Sequence, residues 1–419
     1  MQVYMASKAI VLVCDGMSDR RCSALGWLTP LQAAKPKSFD WIASRSECGL
    51  MDPISPGVPP GSDTAHLAIL GYDPYKHYTG RGAFEALGAG IELEPNDVAF
   101  RCNLATISED GTVVDRRAGR ISNEDAETLS ESLNGIRLVR NSDVSVLFKH
   151  TVEHRGVLVL RCEGLSRFVS DVDPHKIGVR FLHSRPLVDS PAAKKTADTL
   201  NEFVEVSRKV LLQHGVNKRR AKNGQPLANV VLPRGAGTLP MIEKLPAKFG
   251  VRAAVIAGGA VYKGVCKAAG FDVLEVKGAT GTVDTDLDAK MRAAINAVKA
   301  YDLVFVHVKS TDVVSHDKNP VKKVEVISRI NKAFSTVVSE VDLAETCMAI
   351  TSDHTTPSEV GEHTGDPVPL ALYAPGARYG NVERFDEISC ASGTLGRIRG
   401  IDFMPTIMNY LGRVPMYGE

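Results

Sequence analysis

The sequence lacks the features that mark several broad functional classes. Its 419 residues contain 50 Lys and Arg against 49 Asp and Glu, so the basic excess typical of nucleic-acid binding is absent. No apolar run reaches the roughly 18–20 residues of a membrane-spanning helix. Residues 1–10 carry no basic stretch before a long apolar core, so no signal peptide is predicted. An apolar content of 44% and a charged content of 24% instead indicate a globular protein.

Common metal and nucleotide motifs are also missing. The eight cysteines are scattered without a C-x-x-C pair, and several lie in apolar runs, which favours buried thiols in the cytoplasm. The sequence has neither a G-x-G-x-x-G nor a G-K-[ST] loop, so no nucleotide cofactor is expected. The acidic stretch from Asp284 has Ala289 and Ile295 where an EF-hand loop needs Gly and Glu. It is interpreted as the charged start of a helix.

Short buried strands alternate with amphipathic helices through much of the chain. Apolar spacings of three and four predict helices over residues 287–298 and 321–334. The apolar runs that predict strands are Ala9–Cys14, Gly156–Leu160, Ala253–Ala257, Leu303–Val308, Cys347–Thr351 and Val368–Tyr373. This alternation predicts an α/β fold with a mainly parallel sheet.

The middle of the chain differs in composition from the two ends. It is richer in charge, and it ends with a long helical pattern from Leu200 to Val210. We therefore expect residues 106–234 to form a smaller inserted domain. Residues 1–105 and 235–419 would form one discontinuous domain around it.

Two residues near the start of the chain are candidates for chemistry. Asp15 directly follows the first predicted strand, where open α/β sheets bind ligands, but Asp15-Gly16 is also a common turn pair. Ser62 follows a Pro/Gly loop at a predicted helix start. A serine there either caps the helix or acts as a nucleophile beside N–H groups that favour a phosphate. The local sequence leaves these alternatives open.

Later strands are followed by residues of the types that bind metals. Asp312 and His316 follow one strand at a spacing that places both on one helical face, Asp353 and His354 follow another, and His363 lies in the next loop. Together with the acid after the first strand, these residues are expected at one edge of the sheet. Mixed carboxylate and imidazole ligands indicate Mn²⁺, Zn²⁺, Co²⁺ or Fe²⁺. Two clusters suggest two metals, an arrangement suited to phosphoryl transfer.

The segments around these residues resemble the archaeal-type cofactor-independent phosphoglycerate mutases of the alkaline phosphatase superfamily. The resemblance spans nearly the whole chain and includes VLVCDGMSDR, LTPLQAAKPKSFDWIA, PPGSDTAHLAILGYDP, YTGRGAFEALGAGI, HVKSTDVVSHD, TSDHTTP and EHTGDPVPL. It implies an alkaline phosphatase-like core with helices on both faces of the sheet, and an inserted α/β domain that closes over the substrate. It also implies interconversion of 3-phosphoglycerate and 2-phosphoglycerate in glycolysis and gluconeogenesis.

The resemblance further implies a role for individual residues. Ser62 would be the nucleophile that becomes phosphoserine. Asp15, Ser62, Asp353 and His354 would hold one metal, and Asp312, His316 and His363 the other. Mn²⁺ is expected first, with Zn²⁺, Co²⁺ or Mg²⁺ as alternatives, and 2,3-bisphosphoglycerate is not required. The candidate substrate-binding residues are Arg117, Arg120, Arg155, Asp171, Asp173, His175, Arg234 and Lys309.

Three other functions remain open on sequence alone. A metal-dependent phosphohydrolase would use the same residues with water as the acceptor. A related transferase, similar to homoserine kinase-like relatives, would act on a small hydroxy acid or amino acid. A scaffold with an inactive core would bind no metal. The expected partner is a phosphoglycerate rather than a nucleic acid or a membrane, and a homo-oligomer is left open.

Overall fold

The computed structural model describes residues 6–418; residues 1–5, in the segment searched for a signal peptide, and residue 419 lie outside it. The chain forms two compact units. The first is Met1–Tyr78 with Ile242–Glu419, and the second is Thr79–Met241. All eight cysteines are free thiols. Over residues 6–418, no helix has the length and apolar character needed to cross a membrane.

The strands and helices are numbered along the chain. The strands are β1 (Lys8–Cys14), β2 (Glu47–Asp52), β3 (Val98–Ile107), β4 (Val113–Asp115), β5 (Ser145–Val152), β6 (Arg155–Arg161), β7 (Val230–Gly237), β8 (Ala253–Ile256), β9 (Asp272–Val273), β10 (Leu303–Val308), β11 (Thr346–Thr351), β12 (Val368–Tyr373) and β13 (Gly396–Arg399). The helices are α1 (Pro30–Ala34), α2 (Lys37–Ala43), α3 (Ser62–Ile69), α4 (Pro74–His77), α5 (Arg81–Gly88), α6 (Asn123–Glu131), α7 (Pro191–Gln213), α8 (Gly215–Lys222), α9 (Leu245–Phe249), α10 (Ala260–Ala268), α11 (Leu287–Ala297), α12 (Ser310–His316), α13 (Pro320–Glu340) and α14 (Gly400–Tyr410).

The first unit is built on an eight-stranded sheet in the order β13-β2-β12-β11-β1-β10-β8-β9. Only β12 runs antiparallel to its neighbours, so the predicted mainly parallel α/β sheet is confirmed. In the centre, Cys14 at the end of β1 pairs with Val308 at the end of β10, and Val13 pairs with Thr351 at the end of β11. These three strands therefore end level with one another, and the loops that follow them begin at one edge.

Helices cover both faces of this sheet, because alternate side chains of each buried strand point to opposite faces. On one face, Leu12 and Val306 share a core with Ile295 of α11 and Phe334 of α13. Phe305, one residue before Val306, contacts aromatic rings on the other side, including that of His66 in α3. The predicted helices over 287–298 and 321–334 are confirmed as α11 and α13. Asp286 caps α11, as its interpretation as a helix start required.

The second unit is built on a five-stranded antiparallel sheet in the order β4-β3-β6-β5, with β7 paired to β3. The run Gly156–Leu160 forms most of β6, as predicted, but it lies in this sheet. The strand β3 pairs with β6 on one side and β7 on the other, so it belongs to the second unit rather than with residues 1–105. The helix α5 lies close against β3: a Cβ on Gly82 would come within 2.1 Å of the Ala99 carbonyl oxygen. The boundary between the two units thus depends on pairing between strands that are far apart in sequence, and local composition does not indicate such pairing.

Candidate active site

The predicted edge of the first sheet brings together the acidic and histidine residues that the sequence predicts as metal ligands. Asp15 follows β1, Asp312 lies in α12 after β10, and Asp353 follows β11. Gly16 turns the chain sharply after Asp15 with a φ of 59°. A Cβ on Gly16 would lie 2.7 Å from the Thr356 hydroxyl and 2.9 Å from Asp312 Oδ1. The turn interpretation of Asp15-Gly16 is therefore correct, and the turn also leaves room for neighbouring acidic side chains.

Ser62 stands at the first position of α3, but it does not cap that helix. The N-cap residue is Gly61, and no side chain satisfies the first N–H groups. The Oγ of Ser62 instead lies 3.3 Å from Nε2 of His354. The capping alternative for this serine is therefore wrong, and the hydroxyl is free for chemistry at the sheet edge.

We call Asp15, Ser62, Asp353 and His354 the serine-side cluster. Around His354 Nε2 lie Ser62 Oγ at 3.3 Å, Asp353 Oδ2 at 3.3 Å and Asp15 Oδ1 at 3.4 Å. Four ligands at tetrahedral corners with metal–ligand bonds of about 2.0–2.2 Å would be about 3.3–3.6 Å apart. The three distances from His354 Nε2 thus fall within the range expected between ligands of one metal ion.

We call Asp312, His316 and His363 the second cluster. Asp312 Oδ1 lies 3.3 Å from His316 Nε2 and 3.5 Å from His363 Nε2. The ring of His363 stacks on that of His354 with centroids 3.6 Å apart, which places the two clusters side by side. The hydrogen bond with Asp312 raises the pKa of His316 to about 9. A metal at this cluster would therefore compete with a proton.

The histidines of both clusters are oriented through their second ring nitrogens. Nδ1 of His316 lies 2.7 Å from the Gly361 carbonyl oxygen, and Nδ1 of His363 lies 2.8 Å from that of Pro60. A carbonyl oxygen only accepts, so each Nδ1 carries the proton and each neutral ring has its lone pair on Nε2. Nδ1 of His354 lies 2.9 Å from the Thr356 hydroxyl. This is the usual arrangement of metal-binding histidines.

Two buried carboxylate oxygens of the serine-side cluster lack a partner. Asp15 Oδ1 and Asp353 Oδ2 accept no hydrogen bond from any described residue. Leaving such oxygens buried and unpaired is unfavourable. Burial, followed by the charge of Asp15, raises the pKa of Asp353 to about 7. A divalent cation would satisfy both oxygens, so the residues present fit a metal.

Lys309 lies against the carboxylates of both clusters. Its Nζ is 2.8 Å from Asp312 Oδ2 and 3.5 Å from Asp15 Oδ2. Burial acts to raise the pKa of Asp15, but the charge of Lys309 and the hydrogen bond from His307 hold that pKa well below its usual range. The predicted substrate-binding lysine is thus placed beside the candidate metal ligands.

The second unit carries a group of arginines, which we call the arginine face: Arg81, Arg101, Arg155 and Arg234. On β3, Arg101 pairs in register with Arg234 of β7, and Asn103 two residues later pairs with Arg155 of β6. Glu85 is the buried counter-charge, with Oε1 3.1 Å from Arg81 Nε and 3.4 Å from Arg101 Nε. Asp173 Oδ2 lies 3.7 Å from Arg234 Nε and is a second counter-charge. Two carboxylates among four guanidinium groups still leave a positive excess, which suits carboxylate or phosphate groups.

Four predicted substrate residues form one network in this unit. Asp173 is fully buried, accepts two hydrogen bonds from Arg116 at 3.1 and 2.6 Å, and accepts the backbone N–H of His175. His175 Nε2 lies 2.9 Å from Asp171 Oδ2, and its Nδ1 lies 3.3 Å from Arg234 Nη1. Asp173 is therefore largely occupied within the protein, whereas Arg234 joins this network to the arginine face.

The arginine face includes two arginines, Arg81 and Arg101, that are not among the predicted substrate residues. The exposed side chains of Arg117 and Arg120 make no hydrogen bond or ion pair within residues 6–418, although Arg117 is close enough to influence His154. Arg101, missed in the sequence, is identified by its strand partners. Arg81 is the first residue of α5 and follows Gly80 in the segment YTGRGAFEALGAGI. His154, also missed, is buried, and burial followed by nearby arginines lowers its pKa to about 3.

Comparison with known proteins agrees with the resemblance in the sequence. Residues 43–217 match a family model described as 2,3-bisphosphoglycerate-independent phosphoglycerate mutase. The proteins of that name from Pyrobaculum islandicum and Methanocaldococcus jannaschii (the latter numbered 1) are 47% and 44% identical to the chain, each over 411 residues. These alignments cover 97% of this chain and 98% of the Pyrobaculum protein, and 98% of this chain and 99% of the Methanocaldococcus protein.

Two solved structures agree with this comparison. The cofactor-independent phosphoglycerate mutase of Thermoplasma acidophilum is 36% identical with a TM-score of 0.70, over 97% of this chain and 100% of that one. A Pyrococcus horikoshii protein is 38% identical with a TM-score of 0.86, over 99% and 100% of the two chains. With near-complete coverage at these identities, the chain belongs to the 2,3-bisphosphoglycerate-independent phosphoglycerate mutase family.

Proposed function

We propose that this protein interconverts 3-phosphoglycerate and 2-phosphoglycerate, without 2,3-bisphosphoglycerate, through a phosphoserine at Ser62. The observation that carries the proposal is the position of the Ser62 hydroxyl, 3.3 Å from His354 Nε2 and within a set of unpaired carboxylate oxygens. The names of the relatives support the choice of substrate.

The two clusters are proposed to hold two divalent ions, with Mn²⁺ expected and Zn²⁺, Co²⁺ or Mg²⁺ as alternatives. The serine-side cluster would hold one ion, and Asp312, His316 and His363 the other. When bound, such ions stabilise negative charge on phosphoryl oxygens and lower the pKa of an adjacent hydroxyl.

Ser62 is the proposed acceptor and donor of the phosphoryl group. In the first half-reaction, its Oγ loses a proton and forms a bond to phosphorus, while the bond from phosphorus to the glycerate oxygen breaks and that oxygen gains a proton. The glycerate then presents its other hydroxyl, and the same changes run in reverse. The N-terminus of α3, where Ser62 stands, favours the added negative charge.

The arginine face of the second unit is proposed to bind the carboxylate and phosphate of the phosphoglycerate. Guanidinium groups pair with both anions through two parallel hydrogen bonds, which gives orientation as well as affinity. Lys309, Asp171 and His175 remain proposed substrate contacts. Since Asp173 is buried in its pairing with Arg116, we propose that it orients these neighbours.

A coupled assay tests this function. The purified protein with Mn²⁺ is given 3-phosphoglycerate, and 2-phosphoglycerate formation and free phosphate are measured in parallel. The proposal expects isomerisation with little phosphate release, and phosphoserine at Ser62 in rapidly quenched samples by mass spectrometry. Phosphate release without isomerisation would instead identify a phosphohydrolase.

A further inference from the structure

His307 lies in β10, and its side chain contacts Asp15 of the serine-side cluster. It is fully buried, and its Nε2 lies 2.9 Å from Asp15 Oδ2. An ionised carboxylate can only accept, so His307 donates the Nε2 proton to Asp15. In sequence this histidine is simply one member of the apolar run LVFVHV.

The ring of His307 is fixed by its surroundings. Tyr262 of α10 stacks on it with ring centroids 3.6 Å apart and planes inclined by 21°. The Nζ of Lys290 donates to its backbone carbonyl oxygen at 2.9 Å. The stacking fixes the plane of the ring and the Lys290 bond holds its backbone, with Nε2 directed toward Asp15.

The hydrogen bond from His307 occupies one carboxylate oxygen of Asp15 and leaves the other without a partner among the described residues. Oδ2 is occupied by His307 and is 3.5 Å from Lys309 Nζ. Oδ1 has no partner among the described residues and lies 3.4 Å from His354 Nε2. We infer that His307, held in place by Tyr262, is a positioning residue that turns Oδ1 of Asp15 toward the metal of the serine-side cluster. This inference rests on the proposed function, because it concerns the proposed metal of that cluster.

A metal site in which His307 is itself a ligand is the alternative to this positioning role. His66, His307 and Asp353 also lie close enough to share a metal ion of their own. Nδ1 of His66 donates to the Ser62 carbonyl oxygen at 2.7 Å and His307 donates through Nε2, so the second ring nitrogen of each histidine keeps its lone pair and has no partner among the described residues. Asp353 belongs both to this group and to the serine-side cluster. We therefore expect the two sites to compete for one ion, and the chain to bind two metal equivalents rather than three.

The test measures Mn²⁺ binding to the full chain by electron paramagnetic resonance, with metal content checked by mass spectrometry. In His307→Phe, which keeps an aromatic ring under Tyr262 but removes the donor, one of the two Mn²⁺ equivalents should bind about 10–100-fold more weakly. The other equivalent should be unchanged. His307→Gln, whose side-chain N–H can reach the same position, should recover much of the affinity. His77→Phe, a histidine outside both clusters, is the control.

Several outcomes would overturn the inference. Unchanged binding in His307→Phe, equal weakening of both equivalents, or the loss of a third equivalent would each contradict it. If His307→Phe does not fold, Tyr262→Leu removes only the stacking ring, and it should weaken the same equivalent; unaltered binding there would also contradict the inference. Failure of the proposed function looks different, since the unmodified chain would then bind no Mn²⁺ pair or catalyse no isomerisation.

Discussion

The Oγ of Ser62 and the Nε2 of His354 lie 3.3 Å apart, although 292 positions separate the two residues in the chain. The serine begins α3, and the histidine follows β11 in the centre of the sheet. The Thr356 hydroxyl donates to Asp312 Oδ1, so it accepts from Nδ1 of His354, and Nε2 of His354 faces the serine with a lone pair. The fold thus presents one hydroxyl to the same point on which two unpaired carboxylate oxygens converge.

Ser62→Ala should abolish isomerisation while leaving the fold intact. The substitution removes only the oxygen that accepts the phosphoryl group, so the rate should fall by at least about 10³-fold. Formation of 2-phosphoglycerate is measured, with circular dichroism to check folding. Thr64→Ala is the matched control, because among the described residues the Thr64 hydroxyl donates one hydrogen bond, to the carbonyl oxygen of Gly61, the N-cap of the same helix. Substantial activity in Ser62→Ala would remove the phosphoserine mechanism.

Asp312→Asn and His363→Ala should lower metal content and rate together. Asp312 Oδ1 is within 3.5 Å of Nε2 in both His316 and His363, so each substitution removes a ligand from the second cluster. Metal per chain after gel filtration, measured by mass spectrometry, should fall from two toward one. Full occupancy of two metals in both variants would contradict the ligand assignment.

The site at the sheet edge could be predicted because its strands, and the residues that follow them, leave local patterns in the sequence. Buried strands are visible as apolar runs, and the residues that follow parallel strands meet at one edge. His307 was missed for the same reason, since a histidine within an apolar run looks like part of the core. Arg101 was missed because only the pairing of β3 with β7 brings it opposite Arg234. Strand pairing over more than a hundred residues leaves no local pattern in the sequence.

Arg101→Gln should weaken substrate binding. Arg101 joins the buried Glu85 to the rest of the arginine face, and its loss removes a charge-assisted donor. The KM for 3-phosphoglycerate should rise about tenfold or more, which corresponds to about 1.5–3 kcal/mol for a hydrogen bond to a charged group. Arg137→Gln, an exposed arginine of the same unit, is the control. Equal KM values for the two variants would show that Arg101 does not contribute to substrate binding.

His154 should make the chain less stable in mild acid. Burial, then nearby arginines, lower its pKa to about 3 in the folded protein, whereas an unfolded histidine has a pKa of about 6.5. Below pH 6.5, His154 is therefore protonated in the unfolded chain but not in the folded chain. The free energy of unfolding then decreases as the pH falls toward 3. Between pH 7.5 and 5 the unmodified chain should lose about 2 kcal/mol more than His154→Gln. Urea unfolding in EDTA measures this; parallel losses would contradict the shift.

Lys323 should be far more important for stability than the adjacent Lys322. The Nζ of Lys323 is fully buried, 2.8 Å from Asp19 Oδ2 and 3.0 Å from the Thr356 carbonyl oxygen. It therefore ties the loop after β1 to the loop after β11, which carry Asp15 and His354. Within residues 6–418, the Nζ of Lys322 makes one ion pair, an exposed one with Glu325 at 2.6 Å.

Lys323→Met would leave the carboxylate of Asp19 buried without its cation, and we expect a loss of about 3–5 kcal/mol in the free energy of unfolding. Lys322→Met should cost less than about 1 kcal/mol, because water screens a surface pair. Asp19→Asn combined with Lys323→Met should recover part of the loss, since the unpaired buried charge is then removed. Urea denaturation of the four proteins measures these differences. Similar losses for the two lysines would mean that the buried pair does not hold the two loops together.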